Sequence, residues 1–142
     1  MRILAIDYGT KRMGIALSDE TKTIAQPLQY IPSHPFDQFV VRLKEIIHAK
    51  EVDLILVGLP RNMDGSYGPA ALRVQEFVAV LKLAVGMPVQ TWDERLTSAQ
   101  ANRFLIGANV RRAQRKEKVD QTAAALLLQS YLESLTLRPP NV

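Results

Sequence analysis

Short apolar runs alternate with amphipathic stretches along this chain. The first two runs, Ile3–Ile6 and Ile15–Leu17, flank a polar turn and predict a hairpin of two strands. Thr23–Ile31 is rich in strand-forming residues and predicts a third strand, in which Pro27 indicates a sheet edge or a bend. The chain is therefore expected to begin as three strands that follow one another in the sheet.

Helices and strands alternate in the rest of the pattern. The predicted elements are a helix over 36–49, a strand at Asp53–Val57, a helix from Pro69 to about Ala84, a strand at Val89–Trp92, a short helix from Ser98 to about Ile106, and a last helix from Val119 or Asp120 to about Leu135. This order predicts an α/β fold, in which a five-stranded mixed sheet is flanked by helices on both faces.

Length and composition limit the classes of protein that fit. A chain of 142 residues suits a single domain, expected at 1–136, with a flexible C-terminal tail at 137–142. The absence of cysteine excludes disulfides and cysteine-bound zinc and is compatible with a reducing cytosol, so a cytoplasmic location is expected. The first apolar run breaks at Asp7, too soon for a signal peptide, and no apolar stretch has the length of a membrane span.

Acidic residues stand at the ends of several predicted elements. Asp7 ends the first strand, Asp93 and Glu94 end the fifth, and Asp120 begins the last helix. Asp93 and Glu94 are adjacent on an extended segment and should face opposite ways, so one of them is expected to join a site, while Arg95 is a candidate ion-pair partner for the other. Asp7 could equally open a turn, Asp93 and Glu94 could signal a helix start, and Asp120 could equally cap its helix.

Carboxylates from two strand ends and one helix start can converge at one edge of a sheet. Such groups repel each other unless cations neutralise them, and magnesium prefers oxygen ligands and leaves positions for a phosphate. Two such ions about 4 Å apart activate water and stabilise the leaving oxygen of a phosphodiester. The sequence offers no better nucleophile, because it lacks cysteine, and His34 and His48 have settings typical of surface residues.

Basic residues favour a polyanionic partner. The net charge is +4, and the segment 111–118 holds five bases and one acid directly before Asp120. It is suited to hold a phosphate backbone without reading sequence, and it lacks the aromatic residues that stack on single-stranded bases. Residues 58–68 form a glycine-containing passage from strand to helix, which could cradle a phosphate or could simply form a tight turn with glycine and asparagine in left-handed conformations.

Taken together, four motifs resemble the YqgF family, also called RuvX. They are Asp7-Tyr8-Gly9-Thr10-Lys11-Arg12-Met13-Gly14-Ile15-Ala16-Leu17-Ser18-Asp19, Gly58-Leu59-Pro60 with Asn62-Met63-Asp64-Gly65-Ser66, Asp93-Glu94-Arg95-Leu96-Thr97-Ser98, and Lys118-Val119-Asp120 with Ala123-Ala124 and Leu127. The resemblance implies an RNase H-like fold akin to the RuvC resolvases. It also implies a bacterial cytoplasmic nuclease that processes the 5′ end of pre-16S rRNA, with structured RNA of the pre-ribosome, or branched DNA, as partner.

The resemblance also implies roles for individual residues. The acidic positions of the family correspond to Asp7, Glu94 and Asp120, which are expected to be catalytic and to hold Mg²⁺ or Mn²⁺. The residues expected to contact nucleic acid are Lys11, Arg12, Arg61, Arg95, Arg111, Arg112, Arg115, Lys116 and Lys118. The resolvases carry a glutamate at the end of the fourth strand and a second acid in the last helix, where this chain has Gly58-Leu59-Pro60 and Ala123. We therefore expect weaker metal binding, or a second ion that binds only with substrate.

Three further functions remain open at this point. A Holliday-junction resolvase-like DNA nuclease would use the same carboxylates. A non-catalytic RNA-binding factor in ribosome assembly would use only the basic surface. An actin-like ATPase would share the motif Asp7-Tyr8-Gly9-Thr10, although such enzymes close two domains of this type over a nucleotide, and 142 residues supply one.

Overall fold

The computed structural model describes residues 1–62, 64–94 and 122–136, without the side chain of Thr136. The described elements are β1 (Arg2–Asp7), β2 (Arg12–Ser18), β3 (Ala25–Pro32), α1 (Phe36–Ala49), β4 (Val52–Leu59), α2 (Pro69–Val85), β5 (Val89–Asp93) and α3 (Ala123–Thr136). The predicted helix over 98–106, the loop over 107–118 and the tail over 137–142 lie outside the described residues.

The described strands form one mixed sheet in the order β3-β2-β1-β4-β5. β1 pairs antiparallel with β2, and β2 antiparallel with β3, which confirms the predicted hairpin and third strand. β1, β4 and β5 run parallel, so their carboxyl ends lie at the same edge. β3 is an edge strand, and its pairing shifts register beside Pro27, as a proline in a strand predicts.

Apolar side chains cover both faces of the sheet. On one face, Leu4 and Ile6 of β1 pack with α1 and α2 through buried residues such as Phe39 and Leu81. On the other face, Ile3 and Ala5 alternate with them and pack against α3. That second face is lined by small residues, among them Ala5, Ala16, Ala25 and Ala124. These small side chains leave room for the larger residues of α3, such as Leu128 and Leu132, to pack against the strands.

The helices begin and end for local reasons. Pro69 opens α2, and Gly86 closes it with a left-handed φ of 61°. α3 begins at Ala123, after Thr122, whose Oγ1 accepts a hydrogen bond from the Ala125 amide at 3.2 Å. The predicted start at Val119 or Asp120 is therefore too early. Thr122 thus caps the described helix. Asp120, for which a capping role was left open, lies outside the described residues. In the part of the chain described, no helix combines the length and apolar character needed to cross a membrane.

Candidate active site

The carboxyl ends of β1, β4 and β5 bring two acidic residues to one edge of the sheet. Asp7 is the last residue of β1, and Glu94 directly follows the last residue of β5. β4 lies between those two strands, and it passes the same edge at Gly58 and Leu59. By alternation along β1, Asp7 is on the face of Ile3 and Ala5, which is covered by α3.

Gly58 makes the space through which Glu94 approaches Asp7. A Cβ atom at position 58 would lie 2.7 Å from Glu94 Oε1, 3.1 Å from Glu94 Cγ and 3.2 Å from Leu127 Cδ2. The Glu94 side chain therefore crosses over β4, between the strand and α3. Any residue other than glycine at position 58 would displace this carboxylate.

The pKa shifts indicate that the carboxyl of Glu94 lies within the electrostatic influence of Asp7. Burial raises the pKa of the Asp7 carboxyl above its ordinary value. Burial raises the pKa of Glu94 as well, and the negative charges of Asp7 and then Asp93 raise it further. The cost of keeping both carboxylates ionised at this place would be removed by a bound cation.

Asp93 is oriented away from this pair. Its carboxylate lies 3.6 Å from Arg61 Nη1, in an ion pair between the end of β5 and the loop after β4. The family resemblance selects Glu94 rather than Asp93 as the site residue, and in the structure Glu94 is the one whose carboxyl is influenced by Asp7 across Gly58. The suggested partner, Arg95, lies outside the described residues.

Arg61 serves the fold of its own loop. Its Nε donates a hydrogen bond to the Gly65 carbonyl at 3.0 Å, and its guanidinium lies over the Tyr67 ring with 4.7 Å between Cζ and the ring centroid. These contacts and the ion pair with Asp93 hold the guanidinium in place. Its predicted role in nucleic-acid binding stays a prediction, and a structural role is evident.

The loop after β4 is a tight turn closed by its own hydrogen bonds. The Asn62 amide donates to the Ser66 carbonyl, and the Gly65 amide donates to the Asn62 carbonyl, each at 2.9 Å. The Ser66 amide donates to Asp64 Oδ1 at 2.9 Å. Gly65 has a φ of 90°, whereas Asn62 does not have a positive φ. These amides are occupied, so this loop fits the tight-turn alternative rather than a phosphate cradle.

Two predicted nucleic-acid contacts, Lys11 and Arg12, are exposed beside Asp7. Lys11 lies in the turn between β1 and β2, where its carbonyl accepts a hydrogen bond from the Ser33 amide at 2.9 Å. Arg12 begins β2, and its guanidinium lies over the ring of Tyr30. Tyr30 is a feature that the sequence interpretation missed, because its position beside Asp7 depends on the pairing of three strands.

The other predicted site residues lie outside the described part of the chain. They are Asp120, Arg95, Arg111, Arg112, Arg115, Lys116 and Lys118. Among residues 1–62, 64–94 and 122–136, no group of three potential metal ligands comes together. Leu127 of α3 lies next to Gly58, so the amino-terminal half of α3 is beside the Asp7–Glu94 pair. Oxygen ligands in a partly buried, mutually repelling pair are suited to Mg²⁺ or Mn²⁺.

Comparison with solved structures defines the class of fold. RuvC of Thermus thermophilus superposes with a TM-score of 0.56 over 96% of this chain and 96% of its own, at 15% identity. The fowlpox virus Holliday junction resolvase superposes with a TM-score of 0.51 over 94% of this chain and 99% of its own, at 16% identity. The five-stranded mixed sheet with its flanking helices is thus an RNase H-like fold, as predicted.

Sequence comparison then gives the family. Residues 1–134 match the family model described as "RuvX: Holliday junction resolvase", and the chain belongs to this family. A protein of Thermoanaerobacter pseudethanolicus named "Putative pre-16S rRNA nuclease" is 47% identical over 135 residues, which are 94% of this chain and 97% of that protein. A Bacillus subtilis protein of the same name is 44% identical over 137 residues, 95% of this chain and 99% of its own. The chain is therefore a hydrolase of the nuclease class, which acts on phosphodiester bonds.

Proposed function

We propose that this protein is a divalent-metal-dependent endonuclease that processes the 5′ end of pre-16S rRNA in the bacterial cytoplasm. The observation that carries the proposal is the passage of Glu94 over Gly58 toward Asp7. A half-buried carboxylate costs free energy, and a second negative charge nearby, as Asp7 is for Glu94, raises that cost. Because the fold nevertheless brings Asp7 and Glu94 together across β4, we infer that their combined negative charge has a function. The names of its relatives supply the substrate class.

Asp7, Glu94 and Asp120 are the residues that would hold Mg²⁺ or Mn²⁺. When bound, the ion supplies Lewis-acid stabilisation of the phosphoryl oxygens and lowers the pKa of a coordinated water. Lys11 and Arg12 are exposed on the strand and turn next to Asp7 and would position the phosphate backbone. The basic segment 111–118 precedes α3 in sequence and would extend this contact, together with Arg95.

Glu94 would take over the position of an acid that RuvC-type resolvases carry on another strand. In those enzymes a glutamate ends the fourth strand, whereas this chain has Gly58 there and sends a carboxylate across from β5. The likeness to the RuvC-type resolvases would then lie in where the negative charge is placed, and not in which strand carries the acid. Two carboxylates plus Asp120 would make the metal site less acidic than a site with four.

The test is cleavage of a pre-16S rRNA 5′ leader with and without magnesium. We expect wild-type protein to cleave only with the metal, and Asp7→Asn or Glu94→Gln to lower the rate by about 100-fold or more, since even outer-shell changes at metal sites cost 10–100-fold. Asp37→Asn, which removes a carboxylate from the exposed first turn of α1, is the matched control and should cleave normally. Equal cleavage by wild type and Asp7→Asn would refute the proposal.

A second candidate function has support from the family description, which names Holliday junction resolvases. The same carboxylates would then act on branched DNA. Competition between the RNA leader and a four-way DNA junction, at one protein concentration, separates the two substrates. Tight and salt-sensitive RNA binding with no metal-dependent cleavage of either would instead indicate a non-catalytic assembly factor.

A further inference from the structure

Three directly paired residues form a row from the sheet edge to Asp7. Asp7 of β1 is opposite Gly14 of β2, and Gly14 is opposite Tyr30 of β3. Directly paired residues present their side chains on the same face of a sheet. Tyr30 therefore lies on the face of Asp7, two strand spacings away, or about 10 Å.

Gly14 leaves the space between Tyr30 and Asp7 open. A Cβ atom at Gly14 would lie 3.3 Å from Tyr30 Cε1 and 3.6 Å from Asp7 Cβ. The ring edge of Tyr30 thus leans over the glycine toward the carboxylate. Among residues 1–62, 64–94 and 122–136, the position that separates the aromatic ring from the acid is a glycine without a side chain, so a substrate group lying on the ring could continue directly to Asp7.

Tyr30 is exposed, and Arg12 fixes its orientation. The tyrosine is 46% exposed on the edge strand, although burial of a large aromatic side chain usually stabilises a protein. The guanidinium carbon of Arg12 lies 4.0 Å from the ring centroid, within the range of a cation–π contact. An aromatic ring that is exposed, oriented and next to a positive charge has the properties of a nucleobase-stacking residue.

We propose that Tyr30, held by Arg12, forms a stacking subsite for an unpaired nucleobase of the strand whose phosphate lies at Asp7. This inference rests on the proposed function and specifies its substrate, because a base can stack on Tyr30 only if it is not paired in a duplex. The substrate is then single-stranded or locally opened at the cleavage position. Stacking on an aromatic ring tolerates every base, so the subsite selects for strandedness rather than sequence.

The test is binding of a short mixed-sequence single-stranded RNA in calcium, compared with the same RNA annealed to its complement. We expect Tyr30→Ala to weaken single-strand binding by about 5- to 150-fold, the range for loss of one stacked base. Tyr30→Phe should bind within about 2-fold of wild type, because phenylalanine keeps the ring. Duplex binding should be the same for wild type and Tyr30→Ala.

Tyr67 provides the matched control. It is 50% exposed and also lies under an arginine, but that arginine, Arg61, is paired with Asp93 rather than placed at the Asp7–Glu94 pair. Tyr67→Ala should therefore leave single-strand binding unchanged. The salt dependence gives a second readout: Tyr30→Ala should keep the wild-type slope, whereas Lys11→Ala should reduce it by about one.

Several results would overturn the subsite. Unchanged single-strand binding by Tyr30→Ala would do so, as would an equal loss for single strand and duplex accompanied by a lower Tm, which indicates a purely structural tyrosine. An equal loss in Tyr67→Ala would show a general effect of surface aromatics. If wild-type protein binds no nucleic acid, the proposed function fails together with the subsite. If the wild-type protein binds and cleaves RNA, and Tyr30→Ala and Tyr67→Ala do so equally well, only the subsite proposal fails.

Discussion

At the scale of single residues, Gly58 decides where Glu94 can go. An alanine there would place its methyl carbon 2.7 Å from Glu94 Oε1, closer than such atoms approach, so the carboxylate must turn away from Asp7. We predict that Gly58→Ala lowers magnesium-dependent cleavage by about 10-fold or more. In a Glu94→Ala background the same change should have little further effect, because the displaced group is already absent.

This double-mutant cycle distinguishes a role of Gly58 in positioning Glu94 from general damage to the fold. The would-be Cβ at position 58 also lies 3.2 Å from Leu127 Cδ2, so Gly58→Ala could disturb α3 instead. Disturbance of α3 would add the same loss in both backgrounds and would lower Tm in both. Additive losses in the two backgrounds would therefore contradict the positioning role. Isothermal titration with manganese, measured alongside cleavage, reports the same coupling without catalysis.

Glu94 also gives a prediction on stability and pH. Burial, Asp7 and Asp93 raise its pKa in the folded protein. The folded state therefore favours the protonated form of Glu94. The stability that this preference contributes is fully present below the pKa of glutamate in the unfolded chain, about 4.3. It is lost as the pH rises through the higher pKa that Glu94 has in the folded protein. Without metal, Glu94→Gln should raise Tm at pH 7 by on the order of 2 °C, the effect of removing a partly exposed repulsion worth less than 1 kcal/mol.

Thermal unfolding in a chelator across pH measures this effect. The advantage of Glu94→Gln should shrink toward zero at low pH, where the glutamate of the wild type is also neutral. Glu76→Gln, on the exposed side of α2, is the control and should show no such pH-dependent gain. A Glu94→Gln protein that is less stable than wild type at pH 7 would show that the carboxylate is stabilised in the metal-free fold.

The residue scale shows what a sequence can and cannot reveal. Asp7 and Glu94 stood out because charged residues directly after buried strands need a reason. The choice of Glu94 over Asp93 agrees with the observed geometry, although their catalytic roles stay predictions. The significance of Gly58, Gly14 and Tyr30 was not predictable, because each depends on which residue of a neighbouring strand is opposite. Strand register is a long-range property, and one sequence does not state it.

At the scale of elements, hydrophobic periodicity predicted the described strands and helices with small errors at their ends. The helix over 36–49 agrees with α1, and glycine and proline marked the end of α2 correctly. The start of α3 was placed too early because its apolar face continues the pattern back through Asp120, whereas the hydrogen bond that begins the helix is made by Thr122. Periodicity identifies a helix face, and capping geometry sets its first residue.

The cap of α3 is testable. Thr122 Oγ1 accepts a hydrogen bond from the Ala125 amide, and α3 packs against the face of the sheet that carries the site. Thr122→Ala should lower the free energy of unfolding by about 1 kcal/mol, measured by urea denaturation. Thr122→Ser keeps the hydroxyl and should lose much less. Equal stability of wild type and Thr122→Ala would show that another group caps the helix.

At the scale of the whole molecule, the chain combines an overall surplus of basic residues with a local pair of acidic ones. The chain carries a net charge of +4, yet its candidate site holds two half-buried carboxyls whose pKa values are raised, by burial for Asp7 and by burial and neighbouring negative charge for Glu94. The surplus of bases suits a polyanion, and the local surplus of acid suits a cation between the polyanion and the protein. A nuclease needs both, whereas a simple RNA-binding protein gains nothing from the acidic pair.

This contrast leads to a prediction on metal and folding. A ligand that binds only the folded state stabilises it by RT ln(1 + [L]/Kd), about 2.7 kcal/mol at a hundredfold excess over Kd. Manganese at a hundredfold excess over its Kd should therefore raise the wild-type Tm by roughly 10 °C. Asp7→Asn and Glu94→Gln should each lose most of that increase, and Asp37→Asn should keep it. An equal increase in all four proteins would place the ion elsewhere, and the position of the half-buried Glu94 over Gly58 would then serve a purpose other than metal binding.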